Sequence, residues 1–117
     1  MIVVKGNNSR KIETIWDLVK KDHSGSKVAV LSHKGELPHS FVRGKQMRVY
    51  ETLTKEKLLQ ETEAFMASVK DRFEALVLYV NCEDHLIDSI KELSEKYQQK
   101  VFLTVHDADS SVTIKEY

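Results

Sequence analysis

Four short runs in this chain are apolar at nearly every position: MIVVK at 1–5, KVAVLS at 27–32, ALVLYV at 75–80 and VFLTV at 101–105. A strand with one wet face alternates apolar and polar residues. A strand without that alternation is covered on both faces, which is the usual condition in a mostly parallel sheet flanked by helices. The segments between the runs have helical periodicity. Residues 10–21 put Ile12, Ile15, Trp16 and Val19 on one face, with Ser9 at the N-cap. Thr54 reads as the cap of a long helix over 55–74, whose stripe is Leu58, Phe65, Met66, Val69 and Phe73. Asn81 and Asp84 have capping-box-like spacing before a helix over 84–98, with Leu86, Ile87, Ile90, Leu93 and Tyr97 inward. Gln46–Tyr50 and Val112–Ile114 read as further strands, and Ser40–Arg43 as a hairpin partner to the first of these around Gly44-Lys45. The expected order is β-α-β-β-α-β-α-β-β. It implies one α/β domain over 1–117, a three-layer α/β sandwich on a mostly parallel sheet.

The chain's 117 residues suit a single core, and 18 basic side chains cancel 18 acidic ones. No global charge steers it toward nucleic acid or membrane, so an electrostatic partner must meet a local patch. Cys82 is the sole cysteine, which rules out an internal disulfide and makes a reducing cytoplasm the expected compartment. No apolar run approaches the ~20 residues of a membrane span, and no membrane partner is expected.

The first turn carries the clearest hint of function. MIVVK is followed at once by Gly6-Asn7-Asn8-Ser9 and then by a helix near Arg10. Mononucleotide-binding α/β proteins place their phosphate loop here, where a helix N-terminus offers free N–H groups to an anion. A working phosphate loop has more glycines and ends in Gly-Lys-Ser/Thr. This turn has one glycine and no such ending. Together with ALVLYVNCED and KVFLTVHDAD, the layout resembles the core of RecA-type P-loop NTPases, over most of the chain and at the level of pattern. In that family the strand matching Ala75–Val80 ends in the Walker B acids. The strand matching Val101–Val105 lies between it and the first strand and ends in a polar sensor residue. On that resemblance Gly6 matches the opening glycine of the loop, Lys11 comes too early, Asn81 stands in the magnesium-associated position and His106 in the sensor position. It implies a degenerate, inactive member with a P-loop-like sheet. Flavodoxin-like and other doubly wound sheets share the pattern.

Parallel sheets bind ligands outside the carboxyl ends of their strands. That edge gathers Gly6, Asn7, Asn8, Ser9, Asp84, His106 and Asp107 as candidate ligand-binding residues, with His33, Cys82 and His85 on the same rim. Polar loops that merely cap helices give the same picture. Neither metal nor cofactor is expected, because no HxxxH or CxxC spacing supports His85 and His106 as ligands. The loop from His33 to Arg48 is the alternative surface. It sets Lys34, Arg43, Lys45 and Arg48 against the single acid Glu36, with Phe41 among them. Such a surface suits an acidic protein or, as the alternative, a nucleic-acid backbone. Glu83, Asp84, Asp88, Glu92 and Glu95 form an opposed acidic stretch that would suit head-to-tail self-association. The expected function is a non-catalytic interaction or regulatory module, in the style of a phage or mobile-element accessory protein. The second reading is a binder of a nucleotide or phosphorylated ligand at the carboxyl edge. The third is a small enzyme using Cys82 beside His85 or His106, with Asp107.

Overall fold

Alternation along each strand divides the interior into two apolar clusters. Val4, Val28, Val30, Ala75, Val77 and Phe102 join Ile15 and Val19 in one. Val3, Ala29, Leu31, Leu76, Leu78, Val101 and Leu103 join Leu58, Met66, Ile87 and Ile90 in the other. Successive strand residues point to opposite sides of a sheet, so both sides of this one are apolar and covered. That is why the runs lack polar alternation.

The computed structural model describes residues 1–6, 10–22, 27–35, 37, 47–69, 71–106 and 112–117, with 10–12, 22, 81 and 106 described by backbone alone. In chain order the elements are β1 (Ile2–Gly6), α1 (Arg10–Asp22), β2 (Val28–His33), β3 (Arg48–Leu53), α2 (Leu58–Val69), β4 (Ala75–Cys82), a 3-10 turn (Asp84–Leu86), α3 (Ile87–Lys96), β5 (Lys100–His106) and β6 (Thr113–Glu116). They form an α/β domain on a six-stranded sheet of order β3-β2-β4-β5-β1-β6. Every pairing is parallel except β1 with β6. The Cα radius of gyration, 12.9 Å, matches the ~13 Å of a compact domain this long. No described helix is long and apolar enough to cross a membrane.

The order of elements agrees with the sequence reading, and several boundaries do not. Thr54 does not cap a helix beginning at residue 55. Residues 55–57 form a turn, α2 starts at Leu58, and Thr54 instead donates its hydroxyl and its backbone N–H (3.1 Å) to Glu61 Oε1. That helix also stops at Val69 rather than residue 74, because Asp71 adopts a left-handed φ of 65°. Phe73 therefore reaches the core from beyond the helix. Nor does a capping box open the next helix. The chain enters α3 through the 3-10 turn, and neither Glu83 nor Leu86 makes a side-chain cap. This helix ends at Lys96, two residues early, where Gln98 at φ 50° turns left-handed. The N–H groups of Gln98 and Gln99 close it on the carbonyls of Glu95 (3.2 Å) and Ser94 (3.0 Å), a Schellman-type stop. The proposed Ser40–Arg43 hairpin strand lies outside the described residues.

β4 runs to Cys82, two residues past its apolar run, and its register against β5 slips between Leu78 and Cys82. Thr104, fully buried on β5, repairs the gap. Its hydroxyl accepts the Val80 N–H at 2.9 Å and lies 2.9 Å from the Val80 carbonyl and 3.2 Å from that of Leu78. A bulge of this kind redirects the end of a strand. Here it redirects the segment that carries Asn81 and Cys82 to the carboxyl edge.

Candidate functional site

The parallel strands bring Gly6, His33, Cys82 and His106 to one edge of the sheet. Gly6 is in register with His106, and Cys82 with Val105. Asp84 sits just beyond β4 at the start of the 3-10 turn. Its carboxylate lies 3.1 Å from Lys5 Nζ on β1, so the ion pair spans the end of β5, which runs between those two strands. Asp84 is 73% exposed. Lys5 was not singled out in the sequence reading, although it is the lone charge in MIVVK and stands one residue before the strand's end. Of the other candidates at this edge, Asn7, Asn8, Ser9 and Asp107 lie outside the described residues, and His106 is placed by its backbone.

A cleft of ≈ 380 Å³ opens at the carboxyl ends of β2 and β4, lined by His33, Lys55, Leu58, Cys82, Glu83, His85 and Leu86. His33 is buried, with Nδ1 2.8 Å from the Leu53 carbonyl oxygen. A carbonyl can only accept, so Nδ1 carries the proton, and the neutral ring has its lone pair on Nε2. The Cys82 thiol is buried and lies 3.4 Å from the Glu83 carbonyl. Burial, then the charges of Asp84 and Glu83, push its pKa up to about 11 against a smaller opposite pull from Lys5. A catalytic thiolate needs the reverse environment. On the outer lip, His85 Nδ1 lies 3.1 Å from Glu83 Oε2. Among the described residues no three His, Cys, Asp or Glu side chains converge as a metal would need. The sequence reading had His33, Cys82 and His85 on this rim. It missed Leu58 and Leu86 as walls, because both also fit the apolar stripes of their helices.

Of the basic loop's candidate residues, Lys34 and Arg48 are described, and they sit at different levels of the sheet. Lys34 is exposed just past the carboxyl end of β2, whereas Arg48 opens β3 opposite Ala29, near the amino end of β2. Five residue steps, from Ala29 to Lys34, separate the two levels, about 16 Å at ~3.3 Å per step. Phe41, Arg43 and Lys45 lie between them in sequence and outside the described residues. Among the described residues β3 is an edge strand, and Arg48, Val49, Glu51 and Thr52 on it are exposed.

Comparison with known proteins finds no matching family model, no matching curated protein and no matching solved structure.

Proposed function

We propose that this chain is a non-catalytic protein-binding module built on a degenerate P-loop-like scaffold. Its helices would make three layers with the sheet, α1 on one side and α2 and α3 on the other. The reading is supported by the strand order, in which β5 lies between β4 and β1 as a RecA-type layout requires. The absence of catalysis is supported by chemistry. Asn81 occupies the position of the Walker B acid, and the nearby carboxylate of Asp84 is already paired with Lys5 at 3.1 Å.

The observation that carries the binding role is the β3 edge. Four of its six residues are exposed, and Arg48 and Val49 among them give it charge and apolar surface together. The loop from His33 to Arg48 leads into it. With Lys34 at the other level, the cations suit an extended acidic partner better than a compact one. Edge strands recruit extended segments through main-chain hydrogen bonds, and flanking side chains supply specificity. A pull-down from the native host followed by titration with the captured partner tests this. Lys34→Glu combined with Arg48→Glu should weaken binding at least tenfold at low salt and far less at high salt, where exposed charges are screened. Unchanged affinity in the double variant at low salt would remove β3 and its loop as the contact surface.

A further inference from the structure

The cleft at the carboxyl ends of β2 and β4 lies apart from the β3 edge, and its lining has a chemistry of its own. We propose that it binds a small planar heterocycle bearing N–H donors, a nucleobase or nucleoside, with His33 Nε2 as the acceptor at its floor. The proposal does not depend on the protein-binding reading, and it puts the ligand away from the β1 turn.

Topology makes a crevice here. After β2 the chain passes to Leu37, which packs in the cluster of α1. After β4 it passes to Ile87 and Ile90 of α3, which pack in the opposite cluster. Neighbouring parallel strands whose connections leave to opposite sides open a gap between them, and such gaps are where open α/β sheets hold ligands. At ≈ 380 Å³ the gap falls in the range of small-molecule sites, about 300–1,000 Å³.

The lining selects the ligand. His33 is buried and its ring is fixed by the bond from Nδ1 to the Leu53 carbonyl at 2.8 Å, so it cannot turn to present a donor while neutral. His33 lines the cleft, and its Nε2 has no hydrogen-bond partner among the described residues, which leaves it as the ring's acceptor for a ligand. Leu58 from α2 and Leu86 from the 3-10 turn supply apolar walls suited to the faces of a flat ring. The Glu83 carboxylate at the lip is a second acceptor, placed for an exocyclic amine. Two acceptors between apolar walls favour a donor-bearing ring. Lys55 and His85 share the lining, so it is the apolar walls, more than charge, that set a flat ring apart from a bare anion.

Methyl and amide NMR titrations of the intact chain with adenosine, guanosine and inorganic phosphate test the proposal. At least one nucleoside should give saturable shifts at Leu58, Leu86 and His33, and phosphate should give none there. Leu86→Glu, at a half-buried position packed against the margin of the core, should weaken nucleoside binding at least tenfold in a variant that thermal unfolding shows to be folded. His33→Ala should do the same, with thermal unfolding used to confirm that the variant is folded. The proposal fails if neither nucleoside shifts these residues at millimolar concentration. It also fails if shifts persist undiminished in Leu86→Glu, or if phosphate alone produces them.

Discussion

Thr104 shows how a single side chain can hold a strand end in place. The slip of β4 against β5 takes the Val80 N–H out of the regular ladder, and the Thr104 hydroxyl stands in as acceptor at 2.9 Å. Thr104→Val keeps the shape and removes the partner, so it should cost about 1–3 kcal/mol in denaturant unfolding, the penalty of an unsatisfied buried group. A loss no larger than a surface substitution would show that the bulge is held by other bonds. Leu78, fully buried in β4, makes a different prediction. Leu78→Ala should cost about 2–5 kcal/mol, since the surrounding strands cannot collapse into the space. Cys82 is buried with its pKa raised to about 11, so thiol reagents at neutral pH should label it only as fast as the protein opens. Rapid labelling of the folded chain would mean an accessible thiolate and would revive the cysteine-enzyme reading. The burial of Leu78 was legible in the sequence, because ALVLYV admits no wet face. The role of Thr104 was not, because it answers an irregularity in a neighbouring strand that no local pattern records.

The helices were legible as faces and illegible as endpoints. Ile15, Val19, Leu58, Met66, Ile87 and Ile90 all turn inward as their periodicity implies. The stops at Asp71 and Gln98 depend on left-handed backbone at residues that are not glycine, so no glycine signal marked them. What joins α2 to α3 was also unreadable, since its members lie more than thirty positions apart. Glu63 Oε2 accepts from Lys96 Nζ at 2.8 Å and from the Tyr97 hydroxyl at 2.9 Å. The Lys96 bond, then the Tyr97 bond, hold the Glu63 carboxyl below its usual 4.5, and the bond to Glu63 holds Lys96 above its usual 10.5. The signs fix a window. The Glu63 contribution is present above pH 4.5 and is lost as pH falls through its lower folded value. The Lys96 contribution is complete below pH 10.5 and is lost as pH rises through its higher folded value. Glu63→Gln should therefore lower the unfolding midpoint slightly at neutral pH, as expected of an exposed pair, and the gap to the native chain should close at both extremes. A gap that stayed constant from acid to neutral pH would show that the ion pair contributes nothing.

At the scale of the whole molecule, the alternation of apolar runs with helical faces predicted the element order. It could not order the strands, because parallel connections can run to either side of a growing sheet. The observed order brings the ends of β4, β5 and β1 side by side, which is where a P-loop enzyme would hold nucleotide and magnesium. What stands there decides whether the scaffold can work as one. Phosphoryl transfer needs a lysine and a hydroxyl to cradle the terminal phosphates and an acid to hold the metal. On the proposed P-loop likeness, Gly6-Asn7-Asn8-Ser9 would stand where the glycine-rich loop belongs and Asn81 where the acid belongs. Lys5 on β1 and Asp84 just beyond β4 form an ion pair across these ends at 3.1 Å. Incubation with ATP or GTP and magnesium should therefore release no phosphate above the buffer rate. Freeing the pair should not rescue the reaction: Lys5→Ala leaves Asp84 unpaired but supplies neither the missing lysine nor the loop glycines. Magnesium-dependent turnover by the native chain that vanished in Lys11→Ala would overturn this and make the protein an active nucleotide hydrolase with an unconventional phosphate loop.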